Sequence, residues 1–476
     1  MPKKFYITTS IPYTNAPPHV GFALEIIQAD VVARYYKSLG RDVFFLTGTD
    51  EHGLKTFKAA ESAGKGVMEF ADQVSGKFKK LAEALNISNS DFIRTTDEKR
   101  HLPAVYKLWK KFEEKQDIYK KKYKGLYCDG CEAFKTEKEV VLGKCVLHPT
   151  TEIKSIEEEN YFFKLSKYLP EIKKIIKKDA IKIIPESKKN EVLEMIESGL
   201  SDVSFSRSKD KYWGWPVLKD PSQVFYVWQD ALPNYISAIG YPNDQKKFKK
   251  YWPADVHCIG KDIIKFHAIY WPAMLLSAGL DLPKSIFVHG FINVGGQKMS
   301  KSIGNVIDPF ELVDMCGADA VRYFLLREIS PTEDGDFTYE KFEQRYNADL
   351  AGGIGNLLAR TVTLAGKPNF KSKKPGATIK KEMKKTEKNC KKYVEEFKFN
   401  EALKAIWELI SFCDKYINEQ KPWEGKENAS QVISDALFAL ASIANLLSPF
   451  LPSASEKIKN AVKNRKSEIL FARLNK

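Results

Sequence analysis

The stretch FYITTSIPYTNAPPHVGFALEIIQADVVARYYKSLGRDVFFL, residues 5–46, contains the pattern of a strand, a helix and a second strand. Residues 5–9 and 42–46 are short apolar runs, which are typical of buried strands. Between them, apolar residues recur at helical spacing from Leu24 to Tyr35. Two strands joined by a crossover helix form a βαβ unit. The stretch therefore predicts a parallel sheet and an α/β fold.

The charge of the chain allows two explanations. The 476 residues carry a formal net charge of +15, which supports solubility and also suits an anionic partner such as nucleic acid. Lysines cluster at 120–124 and again at 371–388, where the second run is equally explained by a solvated connector. The N-terminus enters a strand at once, and we see no apolar run near the roughly 18 residues of a membrane span. We expect a cytoplasmic protein with no membrane-spanning segment.

Four segments follow one another along the chain. Residues 1–115 carry the first half of a Rossmann-type catalytic domain, and the pattern breaks at residues 116–215, a lysine- and cysteine-rich insertion. Strand and helix patterns resume at residues 216–345, where 224–228 and 256–260 look like strands. Residues 346–476 show helical periodicity without strand alternation. We predict a parallel-sheet catalytic domain with an inserted zinc knuckle, followed by an all-α bundle.

Two separated segments have the composition of phosphate-binding elements. The run GGQKMSKSIGN, residues 295–305, puts two lysines three positions apart between glycines that let the chain bend. The run PPHVG, residues 17–21, follows the first strand and opens a helix, whose N-terminus favours anions. A chain that brings both to one nucleotide has the parts for phosphate chemistry.

The cysteines divide into two groups. Cys128, Cys131, Cys145 and His148 form C-x2-C-x13-C-x2-H, a spacing that suits a closed, tetrahedral and therefore structural Zn2+ site, one per chain. A disulfide between the first two is disfavoured in a reducing compartment. The remaining cysteines are scattered, and we expect them to be reduced packing residues: Cys258, Cys316, Cys390 and Cys413.

Together these motifs resemble the methionyl-tRNA synthetases, a class I aminoacyl-tRNA synthetase family, of the short bacterial type with one zinc knuckle. KMSKS at 298–302 is the family's lysine loop, and PHVGF at 18–22 is similar to its HIGH element. YTN at 13–15, GTDEHG at 48–53, YVWQDA at 226–231 and GKDI at 260–263 also match. The resemblance covers nearly the whole chain and implies methionine–tRNA ligase activity.

The resemblance implies roles in adenylation. His19, Lys298 and Lys301 are the implied catalytic residues, and they bind ATP together with Gly21, Phe22, Gly260 and Asp262. Mg2+ is expected to accompany the nucleotide. Asp262 also suits a helix cap, a common role of aspartate. Phe22 departs from the family, which usually ends the HIGH element with a second histidine, so His19 is expected to carry that role.

A methionine pocket of aromatic and aliphatic walls with one carboxylate is also implied. Asp50 would pair with the substrate ammonium, while polarizable contacts suit a thioether. His267 is equally explained as a satisfied interior histidine. The matching positions are Ile11, Tyr13, Asp50, Trp228, Ala231, Leu232, Tyr235, Ile263 and His267.

The helical C-terminal part resembles the anticodon-binding bundle of the family. Asn356 and Arg360 are four apart and share a helix face, and Trp423 matches the tryptophan that stacks on an unpaired anticodon base. Packing at a helix start is the other explanation for Trp423. The expected partners are tRNA(Met), the initiator tRNA, L-methionine and ATP. Because the chain ends after the bundle, we expect a monomer.

Three alternatives remain at this stage. The chain could be a class I synthetase for valine, leucine, isoleucine or cysteine, although the editing relatives carry an insertion much longer than 116–215. It could be an enzyme that has lost the first step, or a non-catalytic zinc-containing tRNA-binding protein. Phe22 favours the last two, and the intact lysine pair Lys298 and Lys301 argues against them.

Overall fold

The computed structural model describes residues 2–130, 133–135, 140–146, 148–210, 212–299, 304–466 and 468–474, with the backbone alone for 133–134 and 148–151. The chain folds into two compact units. The first comprises residues 1–18, 41–80 and 89–288, and the second comprises 19–40, 81–88 and 289–476. The bounds of the four predicted domains stay predictions.

The strands are β1 (Lys4–Thr9), β2 (Asp42–Thr49), β3 (Asp91–Arg94), β4 (Ile118–Cys128), β5 (Ala133–Lys135), β6 (Val140–Val141), β7 (Lys144–Cys145), β8 (His148–Glu152), β9 (Lys154–Phe163), β10 (Lys182–Ile184), β11 (Val203–Ser204), β12 (Ser206–Ser208), β13 (Pro216–Val217), β14 (Asp220–Phe225), β15 (Val256–Gly260), β16 (Ser285–His289), β17 (Ile292–Val294), β18 (Gln297–Lys298) and β19 (Gly335–Phe337).

The α-helices are α1 (Val20–Ser38), α2 (Leu54–Ser62), α3 (Val67–Ala84), α4 (Leu102–Glu114), α5 (Leu169–Lys177), α6 (Glu186–Glu197), α7 (Val227–Ala231), α8 (Asn234–Ser237), α9 (Gln245–Tyr251), α10 (Trp271–Ala278), α11 (Pro309–Cys316), α12 (Ala318–Arg327), α13 (Tyr339–Arg345), α14 (Asn356–Ala365), α15 (Ala377–Glu395), α16 (Phe399–Gln420), α17 (Ala429–Leu447) and α18 (Pro452–Asn464).

A six-stranded sheet forms the centre of the first unit, in the order β10-β16-β15-β1-β2-β3. Its strand β1 pairs in parallel with β15 on one side and with β2 on the other, and Ile7 lies opposite Val256 and Phe45. The pairs β2–β3 and β10–β16 are also parallel. The predicted parallel sheet is confirmed, and strands from both sides of residues 116–215 enter it.

One predicted strand is confirmed only at its first two residues, Val224 and Phe225. Residues 224–228 contain the end of β14, which pairs antiparallel with β12 and β13 in a separate small sheet. The chain then enters α7 at Val227, so Trp228 lies on a helix. A short apolar run cannot by itself distinguish a strand from a buried helix, and here a strand ends where a helix begins.

The insertion contains a long antiparallel ribbon of β4 and β9. Lysines and glutamates face each other across it, for example Lys122 opposite Glu159 and Lys124 opposite Glu157. Part of the basic charge noted in the sequence is therefore balanced within the ribbon. Along the chain, a small sheet of β6, β7 and β8 lies between the two ribbon strands, and its register places Cys145 opposite His148.

The second unit ends in the predicted helical region. The lysine-rich run is mostly a helix, α15, with Ile379, Thr386, Cys390 and Val394 buried on one face. A connector therefore accounts for only the first part of the run, before Ala377. Lysines of α15 lie on the opposite, exposed face.

Helix α17 corrects the expectation about apolar runs. Among the described residues, it is long and apolar enough by length and composition to cross a membrane, with a mean hydropathy of 1.4. It packs against α14, α15, α16 and α18 within the second unit, and Val432, Ala436, Leu440 and Leu447 are buried there. We therefore describe α17 as the core helix of the bundle.

Candidate functional site

A pocket lies in the first unit, where β1 and β2 end. Asp50 follows β2 and is buried, with 3% of its surface exposed. Its backbone N–H donates to the Pro12 carbonyl at 2.9 Å, and its carbonyl accepts from the Thr14 N–H at 3.0 Å. The backbone of the loop after β1 thus holds Asp50 in place.

The pocket combines one carboxylate with apolar and aromatic walls. Among the nine predicted methionine-binding residues, Tyr13 does not line it, although it bridges to Asp50 through the backbone. Ser10 and Asn234 line it and were missed. Ser10 had a usable signal because it directly follows β1, whereas the turn that brings in Asn234 had none. The lining residues are Ser10, Ile11, Asp50, Trp228, Ala231, Leu232, Asn234, Tyr235, Ile263 and His267.

A stacked pair of rings supports one wall of this pocket. The Trp228 ring lies parallel to the Phe266 ring, with a centroid distance of 3.7 Å and an interplanar angle of 5°. The His267 ring meets Trp228 edge-on at 6.1 Å. A rigid aromatic wall offers polarizable surface to a ligand without first having to be ordered.

The tautomer of His267 follows from its hydrogen bonds. Its Nδ1 lies 3.0 Å from the Ile263 carbonyl, which can only accept, so Nδ1 carries the proton. Its Nε2 then accepts from the Tyr235 hydroxyl at 2.7 Å. Burial lowers the pKa of His267 to about 4. His267 is therefore both a satisfied interior histidine and a lining residue, and the Tyr235 proton is committed to it.

A second histidine lies behind Tyr235. The His257 ring is 4.3 Å from the Tyr235 ring, and its Nδ1 is 2.8 Å from the Thr8 hydroxyl. Burial, followed by repulsion from His267, holds the pKa of His257 well below its ordinary value. One imidazole that lines the pocket and a second that packs on Tyr235 thus stay neutral at pH 7.

Gly260 ends β15 and Asp262 follows two residues later, in the same unit as the pocket. Gly260 is buried at the strand end, whereas Asp262 is exposed on a 3-10 turn that spans Lys261–Ile263. Gly260 is the N-cap of that turn, and Lys265 and Tyr270 are the N-caps of the next helical segments. The helix-cap explanation for Asp262 is therefore wrong, and its carboxylate lies at the strand end where ligands of α/β sheets bind.

In the second unit, His19 is the N-cap of α1. Its Nδ1 accepts from the Gly21 backbone N–H at 3.0 Å, so the neutral ring carries its proton on Nε2. The ring is exposed, and the first turn of α1 contains no acidic residue. An N–H donor and the positive end of a helix therefore face the same solvent-accessible position, which suits an anion. Phe22 is buried on the same helix.

The lysine loop lies in the same unit. Gly295 and Gly296 have φ values of 58° and 77° and form the turn between β17 and β18. Lys298 is exposed after this turn, and its Nζ is 5.4 Å from the Phe291 ring centroid. Lys301 lies outside the described residues. The described part of the loop bends at its glycines as the sequence predicts.

Two of the anticodon candidates meet in the helical bundle. The guanidinium carbon of Arg360 is 5.6 Å from the Trp423 ring centroid, and Arg360 donates to the Asn418 side-chain oxygen at 2.7 Å. Trp423 is 45% exposed, which leaves part of its ring open for stacking. Asn356 is exposed one turn before Arg360 on α14.

The predicted metal ligands are only partly described. Cys128 and Cys145 are buried, whereas Cys131 and the side chain of His148 lie outside the described residues. Within the part of the chain that is described, no three histidine, cysteine, aspartate or glutamate side chains are placed to hold a metal. Two buried thiols and a backbone that brings residue 148 opposite Cys145 fit the predicted donor set.

Comparison with known proteins adds independent findings. The family model described as tRNA synthetases class I (M) matches residues 5–155 and 143–362, and the model described as anticodon-binding domain of tRNA ligase matches 377–475. A methionine–tRNA ligase of Thermotoga maritima is 45% identical over 96% of this chain and 74% of its own length. One from Brucella suis is 41% identical over 96% and 91%, respectively. The Mycobacterium tuberculosis methionyl-tRNA synthetase solved with methionyl-adenylate has a TM-score of 0.91 and 39% identity, covering 96% of this chain and 93% of that one.

Gly21→Ala tests the tautomer and position of His19. A Cβ at residue 21 would lie 2.8 Å from His19 Cε1 and 2.9 Å from its Nδ1, so the imidazole must move and lose its bond to the helix N-terminus. We expect nucleotide-dependent activity to fall about tenfold to a hundredfold, the range for one misplaced donor. Circular dichroism should show an unchanged helix content. Activity equal to that of the unaltered chain would contradict this placement of His19.

Acid should destabilise the first unit through His257 and His267. Both pKa values are lowered on folding, so below about pH 6.5 the unfolded chain binds protons that the folded chain does not. Stability is then lost as the pH falls from 6.5 to 5, by about 1.5 kcal/mol for His267 and in the same direction for His257. Urea unfolding at several pH values measures this loss. His267→Gln should make the loss smaller, and an unchanged slope would contradict the assignment.

Proposed function

Because the chain belongs to the class I methionyl-tRNA synthetases, we propose that it ligates L-methionine to tRNA(Met) through a methionyl-adenylate. The methionine carboxylate attacks the α-phosphorus of ATP and expels pyrophosphate. The methionyl group then passes to a ribose hydroxyl of the terminal adenosine of tRNA, and AMP leaves. The observation that carries the proposal is the pocket that joins buried Asp50 to an aromatic and aliphatic wall.

The pocket chemistry suits the side chain and ammonium of methionine. We assign the ammonium to Asp50 and the thioether to the surface formed by Trp228 and Tyr235. Because the Tyr235 proton is committed to His267, its hydroxyl oxygen faces ligands as an acceptor, and contact with sulfur rests on polarizability. Tyr13 would act by holding the Asp50 backbone. The remaining pocket candidates are Ile11, Ala231, Leu232, Ile263 and His267.

For the nucleotide, we assign the triphosphate to His19, Lys298 and Lys301, and the adenosine ribose to Gly260 and Asp262. Gly21 permits the His19 ring to lie against the first turn of α1, and Phe22 is buried on the same helix. Mg2+, when bound with ATP, would supply further positive charge for the phosphates. Such catalysis depends on alignment and on preplaced charge rather than on a covalent bond between the substrate and the enzyme.

We propose that the helical bundle reads the anticodon. Arg360 and Trp423 would combine polar edge contacts with stacking on an unpaired base, and Asn356 would add an amide. The proposed RNA partners are tRNA(Met) and the initiator tRNA, which share the reaction. A cytoplasmic location and a monomeric state stay predictions, and sedimentation at micromolar concentration tests the second.

We also propose one structural Zn2+ held by Cys128, Cys131, Cys145 and His148. The two described thiols are buried, and buried thiolates need a cation to offset their charge. When bound, the metal would hold the ends of the small β6–β8 sheet and the β4 strand together. It has no assigned step in the reaction.

Amino-acid-dependent exchange of pyrophosphate into ATP tests the activity. With methionine, valine, leucine, isoleucine and cysteine tested in parallel, we expect exchange with methionine and little with the others. Lys301→Ala should lower exchange about a hundredfold or more, because it removes a positive charge that would stabilise the leaving pyrophosphate. Binding of tRNA should change little. A faster reaction with another amino acid would overturn the pocket assignment. Absence of exchange alongside tight tRNA binding would favour a binding protein.

Metal analysis of the purified chain tests the zinc proposal. We expect about one zinc per chain, and Cys145→Ser should lower that content because a hydroxyl is a poor zinc ligand. Cys413→Ser is the matched control, since Cys413 is buried far along the chain in α16. Full zinc content in Cys145→Ser, or loss in both variants, would contradict the proposed ligand set.

A further inference from the structure

We propose that His52, through its contact with Asp230, positions the two walls of the amino-acid pocket and so sets the affinity for methionine. The inference rests on the proposed function and concerns residues outside the pocket lining. His52 follows β2 and Asp230 lies on α7, so a single contact joins two segments that are 178 positions apart. Both residues belong to the first unit.

The contact is short and lies in the interior. His52 Nδ1 is 2.7 Å from Asp230 Oδ2, and the two side chains are 3% and 1% exposed, respectively. Burial would raise the pKa of Asp230, but His52 and His101 together hold that pKa below its ordinary value. A carboxylate can only accept, so Nδ1 of His52 carries the proton in this bond.

Each partner is directly linked to pocket residues. Asp50 precedes His52 by two positions, and Trp228 and Ala231 flank Asp230 on α7. The backbone of Asp50 is tied to the loop after β1, as described above. The length and direction of the His52–Asp230 bond therefore determine how far α7 stands from the carboxylate of Asp50.

The surroundings hold the imidazole in one orientation. The rings of Trp213 and Trp215 meet His52 edge-on, with centroid distances of 4.7 and 5.2 Å. The Gly53 N–H donates to the Trp213 carbonyl at 2.9 Å, and the Trp215 indole N–H donates to the Thr95 carbonyl at 2.9 Å. The backbone of Trp213 and the indole of Trp215 are thus held in place, and His52 has little freedom to follow a displaced α7.

His101 holds the same helix from another side. Its Nε2 lies 2.9 Å from the Asp230 backbone oxygen and 3.3 Å from Oδ1, and its Nδ1 is 3.0 Å from the Ser237 hydroxyl. His101 directly precedes α4, while Ser237 ends α8. This contact ties α7 and α8 to α4, whereas His52 ties α7 to the Asp50 segment. Only the second link spans the pocket.

A role in geometry explains this pair better than a role in stability. Removing one partner of a buried charged pair is costly, but replacing both partners by apolar residues is often neutral in stability. Burial of the His52–Asp230 pair is therefore weak support for a stabilising role. The pair instead gives a directional bond between two pocket walls. Directional polar contacts select one geometry among several of similar packing.

Two amide substitutions of His52 test whether the donor must lie at the position of Nδ1. In His52→Asn the side-chain NH2 is attached to Cγ, as Nδ1 is in histidine, so the donor is preserved near its place. In His52→Gln the NH2 is one bond further out, near the position of Nε2. The two variants have similar polarity and size but offer the donor at different places.

Pyrophosphate exchange at varied methionine and ATP concentrations provides the readout. We expect His52→Gln to raise the KM for methionine about tenfold or more while the KM for ATP changes less than about twofold. His52→Asn should keep the methionine KM within about threefold of the unaltered chain. Asp230→Leu, which is similar in size and offers no acceptor to His52, should resemble His52→Gln and serves if that variant does not fold.

Asp117→Asn is the matched control for loss of a buried carboxylate. Asp117 is fully buried, and its carboxylate accepts from Lys167, Tyr168 and Ser277, none of which lines the pocket. It should lower the unfolding midpoint in urea and leave the methionine KM unchanged. If it raises that KM as His52→Gln does, or if the two His52 variants share one KM, the positioning role is wrong. An unaltered chain inactive with methionine would instead refute the proposed function.

Discussion

The parallel pairing of β1 with β2 on one side and β15 on the other is the constraint on which the amino-acid pocket depends. Side by side and in one direction, the three strands bring their carboxyl ends to one edge of the sheet. Ser10, Asp50 and Gly260 lie at those ends, and the Ser10 N–H continues the pairing by donating to the Cys258 carbonyl at 3.0 Å. A shift of register by one residue would turn Asp50 away from the pocket.

Buried polar groups next to the pocket fix the conformation of the residues that follow β2. Glu51 is fully buried and accepts from two nitrogens of Arg94, at 2.6 and 2.9 Å, whereas Asp50 lines the pocket and His52 contacts Asp230. Successive residues after β2 therefore have different tasks, one in the pocket, one in the sheet interior and one against α7. Buried polar groups such as Glu51 and His52 are tolerable because each has a partner.

In the second unit, the proposed anion-binding position is formed by local structure at the N-terminus of α1. His19 caps α1 with its own Nδ1, and this one hydrogen bond both completes the helix start and leaves the proton on Nε2. Gly21 is required because a side chain there would occupy the space of the imidazole. In the bundle, the Arg360 guanidinium lies near a partly exposed Trp423, so charge and stacking surface are offered together.

The sequence by itself determined the parallel sheet, the helical C-terminal part, the glycine turn before Lys298 and all but two of the residues that line the pocket. These features depend on periodicity, on glycine and on motif residues that the family resemblance supplied, all of which are local properties of the chain. The sequence misplaced Trp228 on a strand, overlooked Asn234 and gave no sign that His52 meets Asp230. Those facts were decided by the tertiary structure alone, because they depend on how distant segments pack and on which buried partner satisfies each polar group.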